Sequence, residues 1–365
     1  VLVLAACGGG GNDDASESSD SNETSESSSG EDTSSESSGD AEFVIRAGIG
    51  LNSEHPQYAG LLKFKEIVEA ETDGAIVIET YHSGQLGDDR SMMEALQLGS
   101  QEVTIPSTAP IANFVPEFAV FDIPFLMPSV EVADAVLDGE VGQKLLDMLE
   151  EQNLVGLAYW ENGYRDMSNS VRPIESLADF EGLKIRTMEN DLHLAAFRAM
   201  GANPTPMAFT ELFTALQQGT VDGQENPIAT IYLEGFHEVQ EYISATNHVY
   251  TPFVFMISKP FYDSLPAEYQ EIVKNAAIEA GKFEREENRK ANEEYKQALI
   301  DEGVNFNEVS DEAKEEMREA VQPAVDEFAE TIGKEIVQES CDAFEAAQEE
   351  GGEEGTLLLP SSPKI

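Results

Sequence analysis

Residues 182–227 read GLKIRTMENDLHLAAFRAMGANPTPMAFTELFTALQQGTVDGQENP, and this stretch alternates between two patterns. The short apolar run LKIRT, which contains Arg186, predicts a β-strand, whereas about 190–200 and 210–218 have the apolar period of helices. Strands that alternate with helices are typical of α/β folds with mostly parallel sheets. Ligands of open α/β sheets bind beyond the strand ends, so we expect Arg186 to lie at a binding rim.

The same alternation continues on the N-terminal side of this stretch. Further strands are predicted at FVIRAGIG (43–50), AIVIETY (75–81), EVTI (102–105) and LVGLAYW (154–160), and helices at DRSMMEALQLG (89–99) and about 130–151. The last third instead predicts two long charged helices, 266–302 and 310–349, the second interrupted at Pro323. A helix of about 37 residues is roughly 55 Å long, so we expect the first of these to brace two domains.

The charge of the chain excludes one class of partner. Residues 43–365 contain 60 acidic and 21 basic side chains, a net charge of −39. A nucleic-acid partner is excluded because binding phosphates requires the opposite sign. Concentrated salt screens the repulsion on so acidic a surface, and we therefore expect a halophilic source.

The first 42 residues differ from the rest of the sequence. The run VLVLAAC (1–7) has the form of a signal-peptide remnant with a lipoprotein box, so we expect Cys7 to carry a lipid. Residues 8–42 are rich in Ser, contain 11 acidic residues and no Lys or Arg, and predict a disordered acidic tether. No run of about 20 apolar residues follows Cys7, so no membrane span is predicted there.

Motifs of the common enzyme classes are missing from the sequence. It has no GxSxG, HExxH, CxxC or phosphate loop, and GIGLNS lacks the third glycine of a dinucleotide-binding turn. The five histidines have no metal-ligand spacing: His55, His82, His193, His237 and His248. We therefore expect no catalysis, no cofactor and no metal site.

Two arginines follow predicted strands. Arg165, in WENGYRDMSNS, comes just after the strand that ends at Trp160, and Arg186 belongs to the next strand along the chain. Either arginine could hold a carboxylate by a bidentate pair at the sheet rim. An equally weighted alternative is that both form structural salt bridges with some of the many acids.

The segment TVDGQENP (220–227) has two interpretations as well. Gly223 permits a tight turn, and Asn226 before Pro227 is pushed to an extended conformation that can present its amide to a neighbouring loop. Alternatively, the segment is only a turn between Leu216 and Ile228.

A resemblance to a known family decides among these possibilities. Residues 182–250, with HSGQLGDDRSMMEALQLGS (82–100), FDIPFLM (121–127) and NGYR (162–165) in the same order, resemble the DctP-type solute receptors of TRAP (tripartite ATP-independent periplasmic) transporters. The resemblance covers about 43–340. It implies a two-domain α/β fold of the type II periplasmic-binding-protein kind, with a hinge and a long helix across both domains.

The resemblance also implies function and organisation. The protein would be a monomeric, extracytoplasmic receptor, lipid-anchored here, that delivers a small organic acid to a permease with small and large membrane subunits. We expect domain I at 43–163 and 252–291, domain II at 164–251 and 292–345, and a tail at 346–365. The alternatives are a substrate-binding lipoprotein of an ABC importer, a ligand-sensing surface receptor and, least favoured, an enzyme.

Five ligand contacts are implied by the matching motifs. Arg186 in KIR would hold the ligand carboxylate, with Arg165 in NGYR as a second cationic contact. Asn226 in GQEN would complete the carboxylate clamp. Phe209 in PTPMAF would pack on the ligand, and Asp89 in GDDR would be a polar residue on the rim.

The sequence departs from the sialic-acid receptors of this family at PSTAPIANF (106–114), where those receptors carry a Glu and an Arg. Sialic acid is therefore not expected, and Ser107 and Thr108 become candidate contacts from domain I. Trp160, the only tryptophan, lines the cleft or belongs to the core. The expected ligand is a C4-dicarboxylate or a sugar acid such as a uronate.

Overall fold

The computed structural model describes residues 41–351, which form helices and strands in alternation. The strands are β1 Phe43–Gly48, β2 Ile76–Tyr81, β3 Val103–Thr104, β4 Leu154–Asn169, β5 Lys184–Thr187, β6 Asn203–Pro206, β7 Gly223–Asn226, β8 Tyr242–Ser258 and β9 Asn305–Glu308. The α-helices are α1 Pro56–Glu71, α2 Asp89–Gln97, α3 Thr108–Ile111, α4 Val130–Leu137, α5 Glu140–Met148, α6 Asp191–Ala199, α7 Phe209–Gln217, α8 Ile228–Leu233, α9 Lys259–Ser264, α10 Ala267–Asp301, α11 Asp311–Ile332 and α12 Lys334–Gly351.

The strands form one mixed sheet in the order β2-β1-β3-β8-β4-β7-β5-β6, and β9 pairs with β8. Five pairs are parallel, as expected for an α/β fold, and three are antiparallel. The antiparallel pair of β4 with β8 is the longest in the described residues. The α/β class is thus confirmed. The prediction of mostly parallel strand pairing holds only for the two outer parts of the sheet, because the central pairs are antiparallel.

The two long central strands connect the two parts of the fold. The C-terminal end of β8 pairs with β3 at Met256 and Ile257, whereas its N-terminal end pairs with β9. The C-terminal end of β4 pairs with β7 in turn. Register shifts interrupt the β4–β8 ladder between Glu161 and Gly163 and between Arg165 and Met167. The fold therefore has two domains joined by continuous strands that are irregular at the crossing.

Helix α10 spans both domains, as the sequence predicted. Its 35 residues pack against α1, β4 and α8. Asn288 on this helix donates from Nδ2 to the carbonyl oxygens of Glu161 and Asn162, at 3.1 and 2.9 Å, where β4 crosses between domains. These contacts anchor the helix at the crossing point.

Trp160 lies in the core beside the same helix, not in the cleft. Its indole Nε1 donates to the carbonyl of Ala277 at 3.0 Å, and its side chain is fully buried. A Cβ at Gly60 of α1 or at Gly281 of α10 would lie 2.6 Å from the indole ring. The ring fills the space that these two glycines leave, so the ligand-contact prediction for Trp160 is wrong.

The predicted helices differ from the observed ones at two breaks. The C-terminal helix continues through Pro323 because Met317, Val321 and Val325 keep one buried stripe, and it ends instead at Gly333, whose φ is +115°. The helix predicted at about 130–151 is divided between α4 and α5.

Parts of the predicted organisation lie outside the described residues. These are the lipoprotein box with Cys7, almost all of the tether and residues 352–365 of the tail. Helix α12 continues to Gly351, past the predicted start of the tail at 346. Among the described helices, none is long and apolar enough to cross a membrane.

Candidate functional site: a cleft around Arg186

A cavity lies where loops and strand ends from both domains meet. Its wall includes Gly50 and Leu51 after β1, Asp88 and Asp89 at the start of α2, Ser107 after β3, and Asn162 on β4. The other domain contributes Arg186 and Glu189 near β5, Met207 and Phe209 at the start of α7, and Asn226 at the end of β7. The binding rim expected from the strand ends is therefore present.

Arg186 is the central feature of this cavity. It is 2% exposed, and its Nε and Nη2 donate to the carbonyl oxygen of Met207 at 2.9 and 2.7 Å. Its Nη1 has no hydrogen-bond partner, and within residues 41–351 the guanidinium forms no salt bridge. Burial lowers the pKa of Arg186 to about 10, so the side chain remains charged at neutral pH. A buried positive charge without a counterion is a site for an anion.

Arg165 is equally buried but already has a counterion. Its Nε and Nη2 form a bidentate pair with the carboxylate of Glu225, and Nη2 also donates to the Glu225 carbonyl at 2.6 Å. Although burial opposes ionisation, the Arg165 charge and the His248 imidazole, whose Nε2 lies 3.3 Å from the carboxylate, hold the pKa of Glu225 well below its usual range. The salt-bridge alternative therefore describes Arg165, and not Arg186.

Asn226 links Arg165 to the cavity. Its Oδ1 accepts from Arg165 Nη2 at 3.0 Å, its Nδ2 donates to Gln224 Oε1, and the side chain lines the cavity. The segment 223–226 is a strand rather than the predicted turn. Gly223 is required by packing and not by a turn, because a Cβ there would lie 2.2 Å from the carbonyl oxygen of Ser168.

Asp89 and Ser107 form the opposite wall. The Ser107 backbone N–H donates to Asp89 Oδ2 at 3.4 Å, and the Ser107 hydroxyl accepts from Asn162 at 3.3 Å. Burial raises the pKa of Asp89 to about 6. A Cβ at Gly50 would be 3.6 Å from Asp89 and 3.9 Å from the Phe209 ring, so the two predicted contacts approach each other across this glycine.

Thr108 is another predicted residue that does not line the cavity. It is fully buried at the start of α3, and its hydroxyl faces the carboxyl of Asp122. It thus supports the wall beside Ser107 from behind. Arg165 also lies behind the wall, through its contact with Asn226.

Several wall residues were missed by the sequence analysis. Asp88, Asn162 and Glu189 line the cavity, and all three lie inside or next to motifs that were quoted for other residues: GDDR, NGYR and KIRTME. Each lies within three residues of a predicted site residue, which was the available signal. No cluster of three or more potential metal ligands is found in the described part of the chain.

A set of polar contacts connects the loop after β1 to helix α8. The Asn52 backbone N–H donates to Glu234 at 2.8 Å, and its Nδ2 donates to the Leu233 carbonyl at 2.7 Å. His55 lies 3.2 Å from the Thr230 hydroxyl. These contacts connect the loop after β1 to the α8 region beside the cavity.

Comparison with known proteins identifies the family. The sequence profile of "Bacterial extracellular solute-binding protein, family 7" (DctP) matches residues 47–331. The chain belongs to the DctP family. A solute-binding protein of Verminephrobacter eiseniae is 44% identical over 245 residues, 67% of this chain and 73% of the relative. The C4-dicarboxylate-binding periplasmic protein DctP of Rhodobacter capsulatus is 37% identical over 284 residues, 77% of this chain and 85% of the relative.

Solved structures of the DctP family have the same fold. The sugar acid binding protein DctPAm of Advenella mimigardefordensis, in complex with galactonate, has a TM-score of 0.82 and 45% identity, covering 83% of this chain and 98% of that protein. Members of this family are extracytoplasmic receptors of TRAP transporters. The expected family and the two-domain type II fold are thus confirmed.

Proposed function

We propose that this DctP-family receptor binds a small organic acid through Arg186 and delivers it to the small and large subunits of a TRAP permease. The observation that carries the proposal is the buried guanidinium of Arg186, which lines the cavity without a counterion. An incoming carboxylate supplies the missing charge. The family membership supports this role over an ABC importer, a sensor or an enzyme.

The orientation of Arg186 is suited to a carboxylate. The Met207 carbonyl occupies the Nε side, which leaves Nη1 and the second hydrogen of Nη2 for two parallel bonds to the ligand. Asn226 contributes its remaining amide hydrogen beside them, and Phe209 packs on the ligand. Arg165 positions Asn226 by donating to its Oδ1 from behind the wall.

Binding is coupled to closure of the two domains. We place the boundaries at 163/164, 251/252 and 291/292, and the register shifts in β4 support a hinge at the first two. A ligand that contacts both walls favours the closed form by its differential contacts. The contacts of Asn52 and His55 with the α8 region further stabilise the closed form.

Calorimetry tests the carboxylate role of Arg186. A thermal-shift screen first finds the best acid, because a ligand at 100 times its Kd adds about 2.7 kcal/mol to stability. Arg186→Ala should then lose binding, whereas Arg198→Ala, which removes an exposed arginine of α6, should bind as the wild type does. Equal binding by both variants would refute the proposal.

The lipid anchor and the salt preference are separate proposals that rest on the sequence. Cys7→Ser should release the receptor from membranes in fractionated cells, and a variant that stays membrane-bound would contradict an anchor at Cys7.

Stability should rise between low and molar salt because the net charge of −39 in residues 43–365 is screened. A melting temperature that does not change with salt would contradict the halophilic assignment.

A further inference from the structure

The wall of the cavity carries more negative than positive charge. Three acids line it, Asp88, Asp89 and Glu189, together with two arginines, Arg90 and Arg186. Arg90 is exposed and pairs with Glu94 at 3.2 Å, which is not a wall residue. Arg186 is therefore the one wall cation in the described chain that lacks an acidic partner.

The three acids are not paired with a cation by a salt bridge, although Asp89 and Glu189 favour the charged form of Arg186 from a distance. Asp88 caps α2 by accepting from the Ser91 N–H at 3.0 Å, and Asp89 accepts from Ser107. The backbone carbonyl of Glu189 accepts from Asn113 Nδ2 at 2.7 Å. None of the three forms a salt bridge within residues 41–351. An anionic ligand thus meets one free cation and three acids.

We propose that Asp88, Asp89 and Glu189 select acids that have a single carboxylate and a hydroxylated remainder, and reject dicarboxylates of the same length. The inference rests on the proposed role of Arg186, which neutralises one carboxylate. A second carboxylate would face these acids without a counterion and be repelled. Hydroxyl groups, in contrast, donate hydrogen bonds to carboxylates and also pair with the Ser107 hydroxyl and the Asn162 amide.

The positions of Asp88 and Asp89 support the proposal that these two acids determine the selectivity. Both belong to the first turn of α2 or its cap, on the wall opposite the strand that carries Arg186. Asp89 borders Gly50, next to the Phe209 ring. A ligand held by Arg186 at one end therefore extends toward two adjacent carboxyl groups at the other.

The experiment compares acids that differ by one functional group. Galactonate and galactarate have the same six-carbon chain, and the second replaces a terminal CH₂OH by a carboxylate; erythronate and meso-tartrate give the same comparison for four carbons. Calorimetry on the full chain should show galactonate binding about tenfold or more tighter than galactarate. Galactarate or meso-tartrate binding as tightly as the matching monoacid would overturn the proposal.

Variants assign the selectivity to the acids. Asp88→Asn keeps the helix cap, since Asn and Asp cap equally well. Asp89→Asn keeps the shape of the side chain and removes its charge. Each should improve galactarate binding and reduce the monoacid preference about fivefold or more. Asp191→Asn, at an exposed acid on α6, should leave the preference unchanged. An unchanged preference in both test variants, or tighter binding of an amino acid than of any hydroxy acid, would overturn the proposal.

The outcomes separate this inference from the proposed function. If a dicarboxylate binds tightly and Arg186→Ala abolishes that binding, the carboxylate role of Arg186 stands and the selectivity proposal fails. If acids of both kinds bind Arg186→Ala as they bind the wild type, the proposed function itself fails.

Discussion

Arg165 and Arg186 lie in the same sheet, and the side chains of both are almost fully buried, yet their surroundings differ in one respect. Arg165 is held by Glu225 on the neighbouring strand, whereas Arg186 contacts a backbone carbonyl and no acid in the described structure. One charge is neutralised within the fold. The other forms no salt bridge within the described residues, and we propose that this difference distinguishes a structural arginine from a ligand-binding one.

The two environments also differ in the state of the nearby acid. Glu225 remains ionised because the Arg165 charge outweighs the effect of burial on its pKa. Asp89, which faces Arg186 across the cavity, has a pKa raised to about 6 by burial and forms no salt bridge with that arginine. The charge of Arg186 is therefore available to a ligand.

The largest expected effect comes from removing the internal counterion. Glu225→Ala should lower the free energy of unfolding by about 3–5 kcal/mol, because it leaves the buried Arg165 charge unpaired. Glu94→Ala, which breaks the exposed Arg90–Glu94 pair, should cost about 1 kcal/mol or less. Urea unfolding of both variants measures the difference. Equal losses would mean that the Arg165 pair is not a structural element.

A smaller effect is expected when the planar guanidinium group of Arg186 is replaced by an ammonium group. Arg186→Lys should restore only part of the affinity that Arg186→Ala loses, because an ammonium cannot make two parallel bonds to one carboxylate. Asn226→Ala should weaken binding by about 1–3 kcal/mol, as the loss of one hydrogen bond to a charged group. Calorimetry with the best acid measures both. Full affinity in Arg186→Lys would indicate a ligand held by charge alone.

The sequence allowed part of this comparison to be predicted. Apolar runs placed both arginines at strands near a sheet rim, and the family motifs indicated Asn226, Phe209 and Asp89. The pairing of Arg165 was not predictable, because Glu225 is 60 residues away and only the antiparallel register of β4 with β7 brings them together. For Trp160, local sequence cannot distinguish the two faces of a strand with register shifts, and the glycines that accommodate its ring lie on distant helices.

Helix breaks were also misplaced for a physical reason. Proline removes one hydrogen bond, but the buried stripe of α11 on both sides of Pro323 outweighs that loss. The stripe depends on the surface that α11 packs against, which includes α6. Local helix propensity alone therefore predicted the helix break at the wrong residue.

The smallest expected effect is a pH dependence of binding through Asp89. In the free receptor this carboxyl holds a proton below about pH 6. A hydroxy acid that donates to the ionised carboxylate must displace that proton, so affinity should increase by about tenfold from pH 5 to pH 7. Asp89→Asn should remove this dependence. Affinity that decreases over the same range would indicate that a negatively charged group of the ligand lies beside Asp89.

The most direct test of the distinction between the two arginines measures binding and stability on one variant. Arg186→Ala should weaken binding of the best acid by about 3–5 kcal/mol, or roughly two to four decades in Kd, because the bound carboxylate is left buried and unpaired. Without ligand, its free energy of unfolding should equal or exceed that of the wild type, since a buried uncompensated charge is removed. Binding within about threefold of the wild type, or a loss of stability as large as that of Glu225→Ala, would contradict the account.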